Sequence, residues 1–155
     1  MILNPIRPIR PEDAAPCCQI VRECLERDRS ISGELRRELL ARESPESILE
    51  RARLFYVEVF EQTEGIVGMG GIDLNEIRIL CVAPSCQGRG IGRKLLQHLE
   101  GMVPPALFKE IFVYASPEAA GFYRSGGYQA RGEHVFPVAG HGMNTIFMVK
   151  RLEGG

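Results

Sequence analysis

The stretch CVAPSCQGRGIGRKLLQHLEGM, residues 81–102, carries three local signals in a fixed order. A short apolar run ends at Pro84, a glycine-rich loop follows, and apolar residues then recur with the spacing of a helix. The free N–H groups at a helix start bind anions, and glycine lets a ligand approach the backbone closely. The stretch therefore predicts a strand, an anion-binding loop and a helix, in that order.

The segments next to this stretch extend the prediction to a sheet. Three short runs precede the loop: LFYVEVFE, GIVGMGGI and EIRILCV. They are rich in β-branched and aromatic residues and are joined by short turns, which is typical of an antiparallel meander. EIFVYAS follows the helix, so that strand, helix and strand form a βαβ unit whose two strands run parallel.

Helices are predicted before the meander. The apolar face of the first one is formed by Cys17, Ile20, Val21, Cys24 and Leu25. Asp13 is its expected N-cap. Two further helices are expected over roughly 33–43 and 45–53, the latter capped by Ser44. Residues 2–9 contain two prolines, and at best they predict an edge strand.

The C-terminal part predicts a short helix and a closing hairpin. The helix lies in PEAAGFYRSGGY and ends at glycine. The hairpin strands, roughly 128–136 and 145–151, are separated by PVAGHGMN, which is interpreted as a loop. The order of elements predicts one α+β domain over residues 1–155, with a mixed and mostly antiparallel sheet of six or seven strands.

The composition argues against several classes of function. The 155 residues are 45% hydrophobic and 25% charged with a net charge of −1, so neither a nucleic acid nor a membrane is an expected partner. Five cysteines without C-x-x-C spacing predict free thiols, with no disulfide framework and no metal site. No secretory signal and no long apolar run is found, so the expected location is the cytoplasm.

The glycine loop does not match the two commonest nucleotide motifs. A dinucleotide fingerprint that starts at Gly88 needs glycine at position 93, which is Arg93, and the spacing of a P-loop is absent. A merely flexible helix start is the alternative. Glycine at three alternate positions costs conformational entropy, and close approach of a ligand explains that cost better.

The sequence QGRGIG after LCVAP resembles the acetyl-CoA-binding signature of the GNAT superfamily of N-acetyltransferases, Q/R-x-x-G-x-G/A. Gln87, Gly90 and Gly92 take its fixed positions. The element order resembles the GNAT fold over about residues 2–152. This resemblance implies a three-layer fold with helices on both faces of the sheet and a splayed central parallel pair. It also implies transfer of an acetyl group from acetyl-CoA to a primary amine by direct attack in a ternary complex.

The resemblance further implies which residues bind acetyl-CoA. The backbone around the pyrophosphate would come from Gln87, Gly88, Arg89, Gly90, Ile91, Gly92 and Arg93. The pantetheine arm would run beside Leu80, Cys81 and Val82, with the Leu80 N–H facing the acetyl carbonyl. Ser116 stands where relatives often have an asparagine that contacts the arm, so this position departs from the family pattern.

The resemblance also suggests the groups that move protons. Tyr123 in GFYRSGGY matches the tyrosine that protonates the departing thiolate, and the alternative is a core tyrosine. Glu76, thirteen residues before Arg89, is the leading base, and the alternative is an exposed turn carboxylate. His134 and His141 flank the closing hairpin and are weaker base candidates, because surface histidines are common there.

The expected acceptor is a small-molecule or peptide amine. In the family it is shaped by the first helices and the last hairpin, here about 13–53 and 134–145, which are the least patterned stretches of the chain. Homodimers are common in the family, so a homodimer is a possible state. A non-catalytic acyl-CoA sensor and an interaction protein that keeps only the fold are the alternative functions.

Overall fold

A computed structural model describes residues 4–153, which form seven strands and five helices. The strands are β1 (Ile6–Pro8), β2 (Tyr56–Gln62), β3 (Gly65–Asp73), β4 (Glu76–Val82), β5 (Glu110–Ala115), β6 (Gln129–Val138) and β7 (His141–Arg151). The helices are α1 (Ala14–Arg27), α2 (Gly33–Ala41), α3 (Pro45–Leu54), α4 (Ile91–Glu100) and α5 (Ala120–Ser125). Short 3-10 turns precede α1, the glycine loop and α5.

The seven strands form one mixed sheet in the order β1-β2-β3-β4-β5-β7-β6, which confirms the expected mixed and mostly antiparallel architecture. Among the strands of residues 4–153, β4 and β5 are the only parallel neighbours. They are joined by just two residue pairs, Glu76 with Phe112 and Ile77 with Val113, although the strands have seven and six residues. Beyond these pairs the two strands separate, so the centre of the sheet is splayed.

A β-bulge in β4 precedes the point where the strands separate. Gly71 of β3 pairs with Ile79 and Ile72 pairs with Ile77, so Arg78 is the extra residue. Residues two apart in a regular strand face the same side. Here Ile77 packs with the cluster under α4 and Ile79 packs with the cluster under α1. A bulge increases local twist, which favours divergence of β4 from its neighbour.

Helices cover both faces of the sheet. The face under α1 and α3 buries Cys17, Val21, Ile48, Val59 and Met69. The face under α4 and α5 buries Leu96, Leu99, Ile111, Tyr123 and Met148. Within residues 4–153 no helix is long and apolar enough to cross a membrane.

Two glycines of β3 let α4 lie close to the sheet. A Cβ on Gly68 would lie 3.1 Å from Leu95, and one on Gly70 would lie 3.0 Å from Leu99. Both distances are shorter than ordinary carbon contacts of about 3.5–4.0 Å. Because α4 begins at the glycine loop, these residues also determine how close that loop lies to the sheet.

Asp13 holds the N-cap position of α1, as predicted, but its side chain makes no capping hydrogen bond there. Asp13 has helical backbone angles because it ends the 3-10 turn before α1, whereas a capping residue is normally extended. Its carboxylate accepts hydrogen bonds from the Arg10 N–H and the Arg7 guanidinium instead, each at 2.7 Å. The Arg7–Asp13 pair therefore ties β1 to the start of α1. The cap expected for α3 is confirmed, since Ser44 accepts from the Ser47 N–H at 3.1 Å.

Several predicted boundaries also differ from the structure. The loop expected at PVAGHGMN is wrong, because β6 and β7 continue through it to a two-residue turn at Ala139–Gly140. Both turn residues have positive φ, 50° and 83°, as tight hairpins require, and Pro137 is tolerated because β6 is an edge strand. Helix α3 includes Leu54, which the sequence placed in a strand. Of the edge strand predicted over 2–9, Ile6–Pro8 is confirmed, and residues 2 and 3 lie outside the described residues.

A buried carboxylate on β2 is held by a histidine of α4. Glu58 is 0% exposed, and its Oε1 lies 2.6 Å from His98 Nδ1, whereas Oε2 has no partner among residues 4–153. Burial raises the pKa of Glu58, and the His98 hydrogen bond opposes that shift. The sequence placed His98 on the solvated side of the helix. The side chain is indeed 46% exposed, but its ring nitrogen faces the core.

Replacing His98 with alanine removes the partner of this carboxylate. We expect H98A to lower the free energy of unfolding by about 1–2 kcal/mol at neutral pH, the low end for a bond to a charged group because His98 is half exposed. Because burial raises the pKa of Glu58, burying this group costs no stability below its unfolded pKa of 4.5, and the cost grows as pH rises from there to the folded pKa. The stability lost in H98A should therefore be smaller at acidic pH than at neutral pH. Urea unfolding at neutral and acidic pH measures it.

The exposed neighbour Gln97 provides the control for this measurement. Q97A removes a side chain of the same helix without touching the buried carboxylate, so its stability should match the unsubstituted protein at both pH values. An H98A loss that is equal at neutral and acidic pH would show that the Glu58 contact is not its cause.

Candidate functional site

A cavity of about 600 Å³ opens where β4 and β5 separate. Four segments build its wall: the end of α1, the outer half of β4, the glycine loop with the start of α4, and the turn leading into α5. The lining residues are Cys24, Arg27, Asp28, Leu80, Val82, Pro84, Cys86, Gln87, Gly88, Gly90, Ile91, Gly92, Arg93, Ser116, Glu118, Ala119, Phe122 and Tyr123.

The outer half of β4 directs backbone polar groups into this cavity. The Ala83 N–H donates to the Val67 carbonyl of β3 at 2.8 Å. In an antiparallel pair, residues bonded to the partner alternate with residues whose polar groups point away from it. Ala83 and Cys81 are in the first class, so Leu80 and Val82 are in the second. Their N–H and C=O groups face the gap that β5 leaves.

Two side chains reach the carbonyl oxygen of Val82 from the cavity side. Gln87 Nε2 donates to it at 3.1 Å and the Cys24 thiol donates to it at 3.3 Å. Both contacts agree with a Val82 carbonyl that points away from β3. The Val82 carbonyl is thus already engaged, and the Val82 N–H and the Leu80 polar groups are the part of this edge that can bond to an extended, amide-containing chain.

The glycine loop places a helix N-terminus on the same wall. Gly88 and Gly90 have φ of 81° and 83°, which side chains rarely adopt, and a Cβ on either would project into open space. Gly90 directly precedes α4 and offers no capping side chain. The first N–H groups of α4, those of Ile91, Gly92 and Arg93, are therefore left without helical acceptors and can bind an anion.

The glycine at position 92 has a different role from its two neighbours. A Cβ there would lie 3.3 Å from the ring of Phe122, so the absence of a side chain lets the start of α4 pack against α5. This refines the sequence interpretation, in which all three glycines made room for a ligand. At Gly88 and Gly90, the positive φ of the backbone is what requires glycine.

The two arginines of the loop are placed differently. Arg93 lines the cavity, lies over the Phe122 ring at 5.4 Å and donates to the Ser125 carbonyl at 3.1 Å. Arg89 is exposed and lies 4.0 Å from Glu64 in the β2–β3 turn, away from the cavity wall. The geometry thus favours Arg93 over Arg89 as the positive group near an anion.

Tyr123 reaches the cavity from α5 and is otherwise buried. Burial, followed by the nearby Cys81, raises the pKa of its hydroxyl, so the group stays protonated at neutral pH. Tyr128 packs edge-on against it but donates to Glu100 at 2.7 Å, whereas no such partner engages Tyr123 within residues 4–153. Tyr123 is therefore the tyrosine that can donate a proton into the cavity.

Ser116 and two carboxylates form the rim opposite the loop. The Ser116 hydroxyl accepts from the Ala119 N–H at 3.3 Å and so caps the turn before α5. Glu118 accepts from the Arg29 N–H at 2.7 Å, which links this turn to the end of α1. Burial alone would raise the pKa of Asp28, but hydrogen bonds from the Ser30 hydroxyl and N–H, together with its contacts to Glu118 and Ser116, lower it.

The expected base and its two alternatives lie away from this wall. Glu76 begins β4 on the face opposite Ile77, and burial raises its pKa. His134 packs against Tyr114 and Phe136, and His141 lies 3.8 Å from Glu34. None of the three lines the cavity. Among residues 4–153 no group of three or more His, Cys, Asp or Glu side chains could hold a metal ion.

Comparison with known families places this cavity in a biochemical context. A family model described as an acetyltransferase (GNAT) domain matches residues 30–152, which include all of the cavity wall beyond α1. The chain belongs to the GNAT acetyltransferase family. A comparison with curated protein sequences found no match.

Solved structures agree with this GNAT assignment. A GCN5-related N-acetyltransferase from Rhodopseudomonas palustris is 25% identical, with a TM-score of 0.87 over 98% of this chain and 99% of that one. PaiA N-acetyltransferase from Thermoplasma acidophilum, bound to coenzyme A, is 19% identical, with a TM-score of 0.75 over 95% and 98%. A Sinorhizobium meliloti phosphinothricin acetyltransferase, bound to AcCoA, is 21% identical, with a TM-score of 0.72 over 95% and 87%. The expected GNAT fold is thus confirmed.

Sequence reasoning missed the contribution of α1 to the GNAT cavity. Cys24, Arg27 and Asp28 line it, yet the helical pattern assigned Cys24 to the apolar face and gave no role to the other two. Glu118 and Phe122 were also unassigned as lining residues. The one signal in the sequence that could have found Glu118 was its position, because it follows Ser116 and Pro117 in a turn expected near the ligand.

Replacing Gly90 with valine tests the helix start as an anion site. The φ of 83° makes a β-branched residue cost roughly 1–3 kcal/mol, and its side chain would project into the cavity. We expect G90V to stay folded and to lose acetyl-CoA binding, measured by titration calorimetry with circular dichroism as the check on folding.

Gly140 is a matched control for that substitution. It has the same φ of 83° and equally open surroundings, but it lies in the β6–β7 turn. G140V should therefore impose similar strain and retain acetyl-CoA binding. A G90V protein that binds acetyl-CoA as tightly as the unsubstituted one would show that the loop is not the phosphate site.

Proposed function

We propose that this protein is an N-acetyltransferase that transfers the acetyl group of acetyl-CoA to a primary amine. The amine attacks the thioester directly in a ternary complex. One observation carries the proposal: a free helix N-terminus, an unpaired strand edge and a protonated tyrosine all meet on one cavity. Membership of the GNAT family supports the reaction class.

The residues present fit acetyl-CoA from its anionic end to its thioester. The N–H groups of Ile91, Gly92 and Arg93, helped by the α4 dipole, would hold the pyrophosphate. The outward N–H of Val82 would bond to an amide carbonyl of the pantetheine arm, as an added strand would. Gln87 already donates to the Val82 carbonyl and would help to position that end of the arm.

Two groups would stabilise the reaction itself. The Leu80 N–H, which faces the gap, would donate to the oxyanion that forms when the amine attacks the thioester carbonyl. Tyr123 would give its proton to the departing thiolate, since its raised pKa keeps the hydroxyl protonated. The chemistry that acetyl-CoA supplies is an activated acyl group.

The attacking amine must be neutral, so it requires a base. We retain Glu76 as the leading base, and its position on the far face at the start of β4 requires a chain of water molecules to the amine. Its raised pKa suits proton acceptance close to neutral pH better than an ordinary glutamate would. His134 and His141 are weaker alternatives because both are occupied on the hairpin.

Thiol release in the presence of amines tests the proposed reaction. We expect CoA thiol to appear when acetyl-CoA is mixed with the protein and a panel of small primary amines and peptide N-termini, and not when the amine is omitted. The main alternative is a non-catalytic acyl-CoA sensor, which would bind acetyl-CoA in calorimetry but release no thiol with any amine. Failure to bind acetyl-CoA at all would favour a protein that keeps only the fold.

Tyr123 gives the sharpest prediction for catalysis. We expect Y123F to reduce kcat by about 10²–10⁴-fold, the range for loss of a general acid, and to leave the affinity for acetyl-CoA nearly unchanged. Because its pKa is raised, Tyr123 should keep its proton at least up to pH 10.0, the ordinary pKa of tyrosine. The rate should therefore not fall below that pH through loss of this proton. Steady-state kinetics across pH measure both effects.

Tyr128 is the control for the tyrosine substitution. It is buried next to Tyr123, but its hydroxyl is bonded to Glu100. Y128F should lower stability through the lost bond while kcat stays close to that of the unsubstituted protein. Equal rates for Y123F and the unsubstituted protein would exclude the acid role.

A further inference from the structure

An aromatic surface lies on the half of the sheet formed by β5, β7 and β6. On β5, Ile111, Val113 and Ala115 pack under α4 and α5, so the alternate residues of this strand face the opposite side of the sheet. Their neighbours across the strands, on β7 and β6, continue that side. We call this surface the aromatic face, and it consists of Phe112, Tyr114, His134, Phe136 and Phe147.

Tyr114 lies at the centre of the aromatic face. Its ring centroid is 5.0 Å from that of Phe136, 5.2 Å from that of Phe147 and 5.5 Å from that of His134. The ring of Phe112 lies 6.0 Å from it on the same strand. Aromatic rings interact favourably at these separations, so the five side chains form one continuous surface across three strands.

The aromatic face stays accessible, because no core cluster within residues 4–153 includes it. The cluster under α1 and α3 takes its strand residues from β2, β3 and β4. The phenylalanine and tyrosine rings of the aromatic face are partly buried, and His134 is exposed. An apolar patch that remains accessible and has a polar rim is typical of a binding surface.

The aromatic face borders the cavity described above. Val113 is the last residue of β5 that pairs with β4, so Tyr114 is the first residue beside the gap between the two strands. Ser116, two residues further along, lines the cavity. A ring seated against Tyr114 and Phe147 would therefore leave an amine on a short chain at the gap, where the thioester is expected.

A carboxylate lies on the same side of the sheet. Glu76 pairs in register with Phe112, and paired residues of neighbouring strands face the same side. It is partly exposed and lies two residues along the strand direction from the level of Tyr114, about 7 Å away at roughly 3.3 Å per residue. Its negative charge would attract the ammonium form of an amine toward the gap and would repel an anionic ligand.

We propose that the aromatic face binds the acceptor, and that the acceptor is a primary amine joined by a short chain to an aromatic ring. The proposal rests on the proposed function, because it names the acceptor of that reaction. The ligand ring would contact Tyr114 and Phe147, and the amine would point into the gap. The amine nitrogen forms the new C–N bond as the C–S bond breaks, its proton passes to the base, and the thiolate takes a proton from Tyr123.

Two amines that differ only in the ring test the substrate class. 2-Phenylethylamine has an aromatic ring, and 2-cyclohexylethylamine has the same carbon skeleton with a saturated ring. In calorimetry with CoA added to the protein, we expect the aromatic amine to bind about 2–10-fold more tightly, the range for one aromatic contact. Spermidine, which has no ring, should bind more weakly than either. Equal affinity for the two ring amines, or tighter binding of spermidine, would overturn the proposal.

Replacing Tyr114 with leucine keeps apolar bulk at the centre of the face and removes its ring. We expect Y114L to weaken 2-phenylethylamine binding by about 2–10-fold and to leave 2-cyclohexylethylamine binding nearly unchanged. The affinity for acetyl-CoA should also be unchanged, because Tyr114 does not line the cavity. F147L is a second variant with the same expectation, and circular dichroism checks that both proteins fold.

Val135 provides the matched control for these variants. It lies between His134 and Phe136 on β6, so it faces the opposite side of the sheet, where it is 55% exposed. V135A should bind both ring amines as the unsubstituted protein does. If folded Y114L and F147L also bound 2-phenylethylamine as tightly as the unsubstituted protein, the aromatic face would not be the amine site.

A second copy of the chain is the other occupant to test for this face. The border with the cavity and the nearby Glu76 carboxylate favour an amine, since neither feature is needed by a protein interface. Analytical ultracentrifugation of the unsubstituted protein and of Y114L distinguishes the two. We expect the same mass for both proteins. A dimer that Y114L dissociates would show that a second copy covers the face, and would overturn the proposal.

The proposed function and the acceptor class can fail separately, because calorimetry measures amine binding without turnover. A protein that binds 2-phenylethylamine through Tyr114 but releases no CoA thiol from acetyl-CoA would sink the acetyltransferase proposal and leave the aromatic face as an amine-binding surface. An active enzyme that releases thiol faster with 2-cyclohexylethylamine or spermidine than with 2-phenylethylamine would remain an acetyltransferase, and the aromatic acceptor would be wrong.

Discussion

The site depends on backbone hydrogen bonds of β4 that β5 does not complete. β3 binds the residues of β4 that alternate with Leu80 and Val82, and β5 pairs only as far as Ile77. Leu80 and Val82 are partly buried, so polar groups on this edge favour partners that can bond to them. Gln87 and Cys24 already bond to the Val82 carbonyl. A splayed parallel pair is therefore a binding surface made by the fold itself.

The surrounding elements bring complementary chemistry to that edge. The glycines of β3 allow α4 to lie close to the sheet, and Gly92 allows its start to pack against α5. These contacts place a positive helix end and the Tyr123 hydroxyl on the same cavity, a short way from the strand edge. Contacts along the length of a long ligand can then hold its reactive end in place, and such positioning contributes to catalysis.

The acceptor amine would be selected by parts of the protein other than β4 and α4. Structures with the same fold include a phosphinothricin acetyltransferase and a ribosomal-protein-alanine N-acetyltransferase, so one scaffold serves very different amines. The elements that would contact the amine, α1, α2 and the β6–β7 hairpin, carry local features here such as the Asp28–Glu118 rim and the long tight hairpin.

Local sequence determined much of this protein. The strand, the glycine loop and the helix of residues 81–102 follow from periodicity and from glycine's backbone freedom, and a motif indicated Gln87, Gly90 and Tyr123, which line one cavity. Tertiary structure decided what is long-range: that Arg89 points to Glu64, that His98 serves a carboxylate forty residues away, and that Cys24 donates to the Val82 carbonyl. The reason is physical. Helix and strand periods reveal which face of an element is apolar, whereas the partner of a polar side chain is set by how separate elements pack together.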